Sequence, residues 1–177
     1  MTRKLSLSRS KVRSICYLSI SSRVDPFAGS KESPTMKLRT ENIYQVILLK
    51  ASPAQVFDAL IDQDEHTNFT GKEAFIQPHE GGSLTICNGN QSGWITRLVK
   101  NKRIVLALTH KRFPAGHFSV VDIRLSREES GNTKLELNHI GVPEEAAGWA
   151  TEAWKKVHWK PLSSHLQTKT QHAQTPA

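Results

Sequence analysis

The sequence is poor in cysteine and contains no long apolar run. Its 177 residues include two cysteines, Cys16 and Cys87, and two isolated cysteines do not make the disulfide framework of a small secreted domain. We interpret Cys87 as a small hydrophobic side chain on a strand, in a reducing compartment. No segment approaches the roughly 20 consecutive apolar residues that a membrane helix requires. We therefore expect neither a disulfide scaffold nor a membrane partner.

Motifs for catalysis and for metal binding are also missing. No histidine shows the His-x-Glu or His-Glu-x-x-His spacing of a hydrolytic zinc site, which favours exposed or singly bonded histidines. Ser119, Ser163 and Cys87 lack a nucleophile elbow and a recognisable base nearby in the sequence. The sequence thus predicts no catalytic residue, no metal and no cofactor. The eight histidines are His66, His79, His110, His117, His139, His158, His165 and His172.

Positive charge is concentrated near the N-terminus. The net charge is +8, and residues 1–35 hold seven Lys/Arg against two acidic residues, which is five of those eight charges. The rest of the chain has no basic stripe with interleaved aromatic residues. We therefore expect no binding to nucleic acid.

The N-terminal segment is rich in Ser and Arg and poor in acidic residues. We interpret residues 1–40 as a disordered basic extension, either a transit-like segment or sequence before a true start at Met36. The apolar patch at residues 15–18 is shorter than the roughly 7–15 residues of a secretory signal core. Residues 41–168 are expected to form one folded domain, and residues 169–177 a disordered tail. We expect a cytoplasmic location, with the transit-like interpretation left open.

The folded part begins with a strand and two helices and continues as short strands. Residues 43–49 are β-branched and apolar, which favours a strand. Ser52 and Pro53 are typical of a helix start. From Glu73 onward apolar and polar residues alternate, and Gly- or Asn-rich turns separate the runs. The pattern predicts an antiparallel meander with one apolar face.

The end of the chain predicts a cover for that apolar face. Residues 133–140 form a last strand, residues 141–143 a tight turn, and a helix runs from Glu144 to about Gln167 with a kink expected at Pro161. This order predicts an α+β fold of the helix-grip kind, an antiparallel curved sheet around a long C-terminal helix.

A curved sheet cannot pack closely against one helix along its whole length, so we expect an apolar cavity between them. His139 shares a strand face with Leu135 and Leu137, which leaves two interpretations. It is either a core histidine bonded to a backbone carbonyl, or a ligand contact or general acid/base in a dry pocket. Trp149 and the acidic turn around Asp62 are expected to form a partner surface. The predicted cavity lining is Phe75, Trp94, Val121, Ile123, Leu137, His139 and Trp154.

Several short motifs occur in an order that resembles a known family. The resemblance is to the activator of 90-kDa heat-shock protein ATPase homologues, and it covers roughly residues 42–167. Each motif is weak alone, and their common order makes the resemblance specific. The motifs are His-Thr-Asn-Phe-Thr-Gly at 66–71, Ala-Phe-Ile at 74–76, Glu-Gly-Gly at 80–82, Lys-Arg-Ile-Val at 102–105, Phe-Pro-Ala-Gly-His-Phe-Ser at 113–119, Gly-Asn-Thr-Lys-Leu at 131–135, Gly-Val-Pro at 141–143 and Gly-Trp at 148–149.

The resemblance implies a helix-grip fold of the START and birch-pollen-allergen type. In eukaryotes a related domain is the C-terminal half of a two-domain cochaperone that stimulates the ATPase of the 90-kDa heat-shock chaperone. This implies a non-catalytic binding domain whose partner is that chaperone or an apolar small molecule, acting as a monomer or homodimer. The alternative is a hydrophobic small-molecule binding protein, or a cyclase- or hydratase-like enzyme of the same superfamily.

Overall fold

The computed structural model describes residues 38–173, which form one antiparallel sheet of seven strands with helices packed on one face. The predicted N-terminal extension up to residue 37 and residues 174–177 of the predicted tail lie outside this part. The strands are β1 (Thr40–Leu49), β2 (Phe75–Ile76), β3 (Ser83–Ile86), β4 (Gln91–Val99), β5 (Arg103–His110), β6 (Ser119–Arg127) and β7 (Thr133–Pro143). The helices are α1 (Pro53–Ile61), α2 (Gln63–Thr70), α3 (Glu144–Ala153) and α4 (Lys160–Ala173), and the π-helical segment Trp154–Trp159 joins the last two.

The strand order is β1-β7-β6-β5-β4-β3-β2. Strands β2 to β7 therefore form a meander, and β1 pairs with the last strand, as Gln45 opposite Leu137 illustrates. This arrangement confirms the predicted α+β helix-grip fold, a curved antiparallel sheet with a long C-terminal helical segment. Within the described residues, we find no helix of the length and apolarity needed to cross a membrane.

Local sequence signals set the bounds of the two short helices. Ser52 caps α1 in a reciprocal capping box with Gln55. The Asp62 side chain caps α2 by accepting hydrogen bonds from the backbone N–H groups of Asp64 and Glu65 at 3.0 and 2.9 Å. Asp62 also ends α1, because its backbone N–H bonds to the Asp58 carbonyl, so this single residue separates α1 from α2.

The inner face of the sheet follows the predicted alternation. On β7, Leu135, Leu137 and His139 are all buried, and Val121 and Ile123 of β6 lie on the same side. Helix α1 adds Val56 and Phe57 to this core, and the C-terminal segment adds residues from Trp154 to Leu166. The core thus sits between one sheet face and the helices, as the alternation predicts.

Two predictions about the last strand and the last helix are corrected. The turn expected at residues 141–143 belongs to β7, because Pro143 pairs with Thr40 of β1. Just before it β7 forms a bulge, in which Ile140 and Gly141, the latter at φ 75°, lie opposite the single residue Asn42 of β1. The helix expected to end near Gln167 continues to Ala173 in the structure. Residues 169–173, predicted as tail, are therefore helical.

A kink was expected at Pro161, and the structure instead has the π-helical segment Trp154–Trp159 just before that residue. The backbone N–H of Lys160 bonds to the Lys155 carbonyl, a π-type i→i−5 bond. Pro161 has no N–H to give to the Val157 carbonyl, which a regular α-helix would require. The wider π turn points Trp154, His158 and Trp159 into the core together, since all three are buried.

Candidate functional site

The candidate site is a cavity of about 120 Å³ between the sheet and the C-terminal helical segment. Leu108, Trp154 and Val157 give it an apolar body. Its outer rim is polar and includes the half-buried Lys72 and the exposed Asn90. A small apolar space with a few convergent polar groups is typical of a ligand site. The remaining lining residues are Cys87, Gln91, His110, Phe113, His139, Trp149, Ala150, Ala153 and His158.

A second, smaller chamber of about 30 Å³ lies beside the first. It is lined mainly by isoleucine and leucine side chains of the sheet, including Ile123, and by His66 of α2. Trp154 and His158 line both chambers. The π-helical segment therefore supplies the wall that divides the interior.

His139 is fully used in a buried hydrogen-bond chain. The Trp154 indole N–H donates to His139 Nδ1 at 3.0 Å, which leaves the ring proton on Nε2. His139 Nε2 then donates to Ser119 Oγ at 2.7 Å, and the Ser119 hydroxyl donates to the Leu108 carbonyl at 3.0 Å. Burial lowers the pKa of His139 to about 4, so the ring is neutral.

This hydrogen-bond network places Ser119 beside a histidine, but the direction of the hydrogen bond between them is wrong for catalysis. A nucleophilic serine needs a histidine whose Nε2 is free to accept its proton, with a carboxylate or carbonyl accepting from Nδ1. Here an indole donor occupies Nδ1, so Nε2 already carries the proton. Ser119 is also only 1% exposed. The arrangement is a structural network and supplies no nucleophile.

The contact between Ser119 and His139 was not predicted from the sequence. Its only signal was strand register, because Val121 pairs with His139 on neighbouring strands and Ser119 lies two residues away on the same face. Of the two interpretations of His139, the buried core histidine is corrected in its partners, which are a hydroxyl and an indole and not a backbone carbonyl. A ligand contact at His139 stays a prediction.

Two further histidines are buried without complete hydrogen bonding. His66 Nδ1 lies 3.3 Å from the Leu60 carbonyl, and its Nε2 has no partner among the described residues. His158 is 3% exposed, and its Nδ1 is likewise unpartnered in that part of the chain. The two rings meet edge to face with centroids 5.8 Å apart. Burial, with a smaller contribution from His66, lowers the pKa of His158 to about 3.

Three of the seven residues predicted to line the cavity line one of the two chambers. His139 and Trp154 line the larger chamber, and Ile123 and Trp154 the smaller one. Val121 and Leu137 are fully buried on the same sheet face but line neither chamber. Whether any of them contacts a ligand stays a prediction.

Phe75 and Trp94 were predicted to face the cavity, and this placement is wrong. They are 53% and 49% exposed. Ile95 and Ile76 point inward, at 1% and 8% exposed, so strand alternation turns their preceding aromatic neighbours outward.

The corrected position of Trp94 begins an apolar row on the outer face of the sheet. Trp94 pairs with Ala107, Ala107 with Val120, and Val120 with Ile140 on successive strands. Trp94, Val120 and Ile140 are between 39% and 49% exposed. Because Ala107 is small, the Trp94 ring reaches Phe118, with ring centroids 5.3 Å apart. We call Trp94, Phe118, Val120 and Ile140 the outer apolar row.

The predicted partner surface divides into two different environments. Trp149 is 36% exposed at the cavity rim, where the Arg112 guanidinium lies 4.9 Å from its ring centroid. Glu65 in the acidic turn binds His165 at 2.7 Å and also Lys169. These bonds lower the pKa of Glu65. The acidic turn thus caps α2 and ties it to α4.

In the described part of the chain, no cluster of three or more His, Cys, Asp or Glu side chains is arranged to hold a metal ion.

Comparison with known proteins identifies the family. The profile of the Activator of Hsp90 ATPase homolog 1-like protein family matches residues 50–167. The human activator of 90 kDa heat shock protein ATPase homolog 1 is 25% identical over 127 residues, 72% of this chain and 36% of that protein. The mouse homolog 2 is 22% identical over 151 residues, 85% of this chain and 44% of that protein. The chain therefore spans less than half the length of these relatives.

Solved structures show the same fold. An HSP90 activator from Plasmodium falciparum superposes with a TM-score of 0.63 at 19% identity, covering 66% of this chain and 89% of that one. The Aha1 dimer from Colwellia psychrerythraea gives 0.62 at 19% identity, covering 71% and 96%. Since the profile match spans more than half of the sequence, the chain belongs to the Activator of Hsp90 ATPase homolog 1-like family.

Proposed function

We propose that the protein is a non-catalytic binding domain that docks on the 90-kDa heat-shock chaperone and stimulates its ATPase. The observation that carries this proposal is the family match over residues 50–167, together with relatives named as activators of that ATPase. The buried Ser119–His139 pair has no free base, which supports a binding role over a hydrolytic one.

The outer apolar row is the docking surface that we propose. Exposed aromatic and aliphatic side chains that adjoin one another are typical of protein interfaces. The row crosses four neighbouring strands, from Trp94 on β4 past Ala107 on β5 to Val120 on β6 and Ile140 on β7, so its members hold fixed relative positions. Trp149, with Arg112 against its ring, offers a second aromatic contact at the cavity rim. The occupant we propose for the row is the folded chaperone, with a second copy of this chain as the competing occupant.

The test is calorimetric titration of the full chain into the 90-kDa chaperone. Trp94→Ser should weaken binding by about tenfold or more, because exposed aromatic anchors dominate interface energies. Leu48→Ser is the matched control, since Leu48 is 68% exposed on the same sheet face but outside the row. Equal weakening by both variants, or no binding at tens of micromolar, would contradict the proposal.

Sedimentation of the free chain separates the two occupants. A monomer whose chaperone affinity depends on Trp94 supports chaperone docking. A dimer that Trp94→Ser dissociates, with unchanged chaperone affinity, assigns the row to a second copy and overturns the proposed docking surface.

A further inference from the structure

The cavity between the sheet and the C-terminal helical segment has one lysine, Lys72, in its lining. At its inner wall His158 has a nitrogen without a partner among the described residues. We propose that this cavity binds a small hydroxylated aromatic carboxylic acid. The ring would lie in the apolar body, the carboxylate at Lys72 and the hydroxyl at His158. This inference is independent of chaperone docking, because the outer apolar row lies on the opposite face of the sheet.

The size of the space selects a single ring. A dry apolar cavity of roughly 150 Å³ accommodates benzene, and this cavity measures about 120 Å³ and is partly open at its rim. Trp154 offers an aromatic wall, against which a ligand ring can pack edge to face or offset. Ala150 and Ala153 keep the helical side of the space open, since neither side chain extends beyond Cβ.

The charge at the rim selects an anion. Among the residues that the structure describes, no acidic side chain lines the cavity, whereas Lys72 does. Lys72 forms no ion pair with any residue in the described part of the chain, although it is half-buried. The charges of Arg112 and Lys111 add to burial in lowering the pKa of His110 on the same rim. A carboxylate would supply the missing negative partner.

The rim also presents an oriented hydrogen-bond donor. The backbone N–H of Arg112 donates to His110 Nδ1 at 2.9 Å. This bond leaves the proton of the neutral His110 ring on Nε2. His110 Nε2–H therefore joins the Lys72 ammonium as a donor suited to a carboxylate.

The second polar contact for a ligand is at the inner wall of the cavity. His158 is 3% exposed, lines the cavity, and has an unpartnered Nδ1 among the described residues. A buried polar atom without a partner lowers stability, so a ligand hydroxyl placed there recovers a hydrogen bond. The π-helical turn presents this ring, and π turns recur at functional sites. A ring with a carboxylate and a hydroxyl on the opposite side can bind Lys72 with the first and His158 with the second.

The proposal is tested with three probes of similar shape: 4-hydroxybenzoate, benzoate, which lacks the hydroxyl, and 4-methylphenol, which lacks the carboxylate. Their binding to the full chain is measured by nitrogen–proton correlation spectra. We expect 4-hydroxybenzoate to bind about fivefold more tightly than either, because each probe lacks one polar contact. The shifted amides should lie around Lys72, Leu108 and residues 150–158.

Two variants assign the two ends, and one control accompanies them. Lys72→Met should weaken 4-hydroxybenzoate about fivefold and leave 4-methylphenol unchanged. His158→Phe should abolish the preference for 4-hydroxybenzoate over benzoate. Lys100→Met, in the exposed turn between β4 and β5, should change neither affinity. Ala153→Leu should fill the space and weaken every probe.

The proposal is overturned if 4-hydroxybenzoate produces no saturable shifts, if the three probes bind equally, or if Lys72→Met and Lys100→Met behave alike. Its failure is distinguishable from failure of the chaperone proposal. Lys72→Met should keep full chaperone affinity, and Trp94→Ser should keep full 4-hydroxybenzoate affinity.

Discussion

His139 shows how a histidine on an inner strand face becomes a structural group. Its two ring nitrogens are both used, one by the Trp154 indole and one by Ser119. The last hydrogen bond of this series is accepted by the Leu108 carbonyl, so every donor in the network has an acceptor. Because the network is fully satisfied, it links β5, β6, β7 and the π-helical segment without an unpaired buried group.

Breaking this network should cost stability in a non-additive way. His139→Phe leaves the Trp154 indole N–H without an acceptor, and we expect the free energy of unfolding to fall by about 2–4 kcal/mol. Ser119→Ala should cost about 1–2 kcal/mol, since it removes the acceptor for His139 Nε2–H. Urea denaturation of both single variants and the double variant measures the coupling. A double variant equal to the sum of the single ones would show that the two side chains act separately.

The buried histidines also predict a dependence of stability on pH. Burial lowers the pKa of His139 to about 4 and of His158 to about 3, against 6.5 for an exposed histidine. Below pH 6.5 these two histidines therefore bind protons in the unfolded chain but stay neutral in the folded chain. Their stabilising contribution is complete above pH 6.5 and declines as the pH falls towards the folded values.

Between pH 7 and pH 5 we expect each of these two histidines to reduce the free energy of unfolding by about 2 kcal/mol. Urea denaturation at several pH values in this range measures the slope, above the range where most carboxylates titrate. His158→Phe should reduce the change in the free energy of unfolding between pH 7 and pH 5 by the contribution of one histidine. A free energy of unfolding that stays constant from pH 7 to pH 5 would contradict the assignment of neutral buried rings.

At the level of elements, the close approach of β4 and β5 depends on one glycine. A Cβ built on Gly93 would lie 1.9 Å from the Ala107 carbonyl oxygen of the neighbouring strand, which is backbone and cannot swing aside. Gly148 in α3 is the contrasting case, because a Cβ there would meet nothing within 4 Å. A side chain at position 93 would therefore clash with the neighbouring strand, whereas position 148 has space for one.

Gly93→Ala should destabilise the protein by roughly 2 kcal/mol or more, because β4 and β5 must separate or shift register to relieve the clash. Gly148→Ala should instead stabilise it by about 0.5–1 kcal/mol, since alanine favours the helical backbone. Thermal unfolding of the two variants beside the parent chain checks both signs. An unchanged midpoint for Gly93→Ala would show that the strands are not in close contact there.

Sequence reasoning reached the elements but not every side-chain direction. The alternation on β7 placed Leu137 and His139 inward, as the structure confirms. Trp94 was misplaced because its size suggested core filling, although the inward Ile95 beside it fixes the opposite direction. The π-helical turn had only Pro161 as a signal, and its wider winding depends on packing against the sheet. The Ser119–His139 contact required the exact register of two strands, which residue types do not specify.

At the level of the whole molecule, one sheet separates two surfaces of different character. Its inner face and the C-terminal helical segment enclose the cavity, with buried histidines at its wall. Its outer face carries the outer apolar row, on side chains that do not contribute to the core. Because the same strands hold both, a protein partner and a small ligand can bind without competing for residues.

The central claim is that this chain acts on the 90-kDa heat-shock chaperone through the outer apolar row. The most direct measurement is the steady-state ATPase rate of the chaperone with increasing amounts of the full chain, of Trp94→Ser and of Leu48→Ser. We predict a saturable rise in rate with the parent chain and with Leu48→Ser, and a much smaller rise with Trp94→Ser. A rate that the parent chain leaves unchanged, or that both variants raise equally, would contradict the claim.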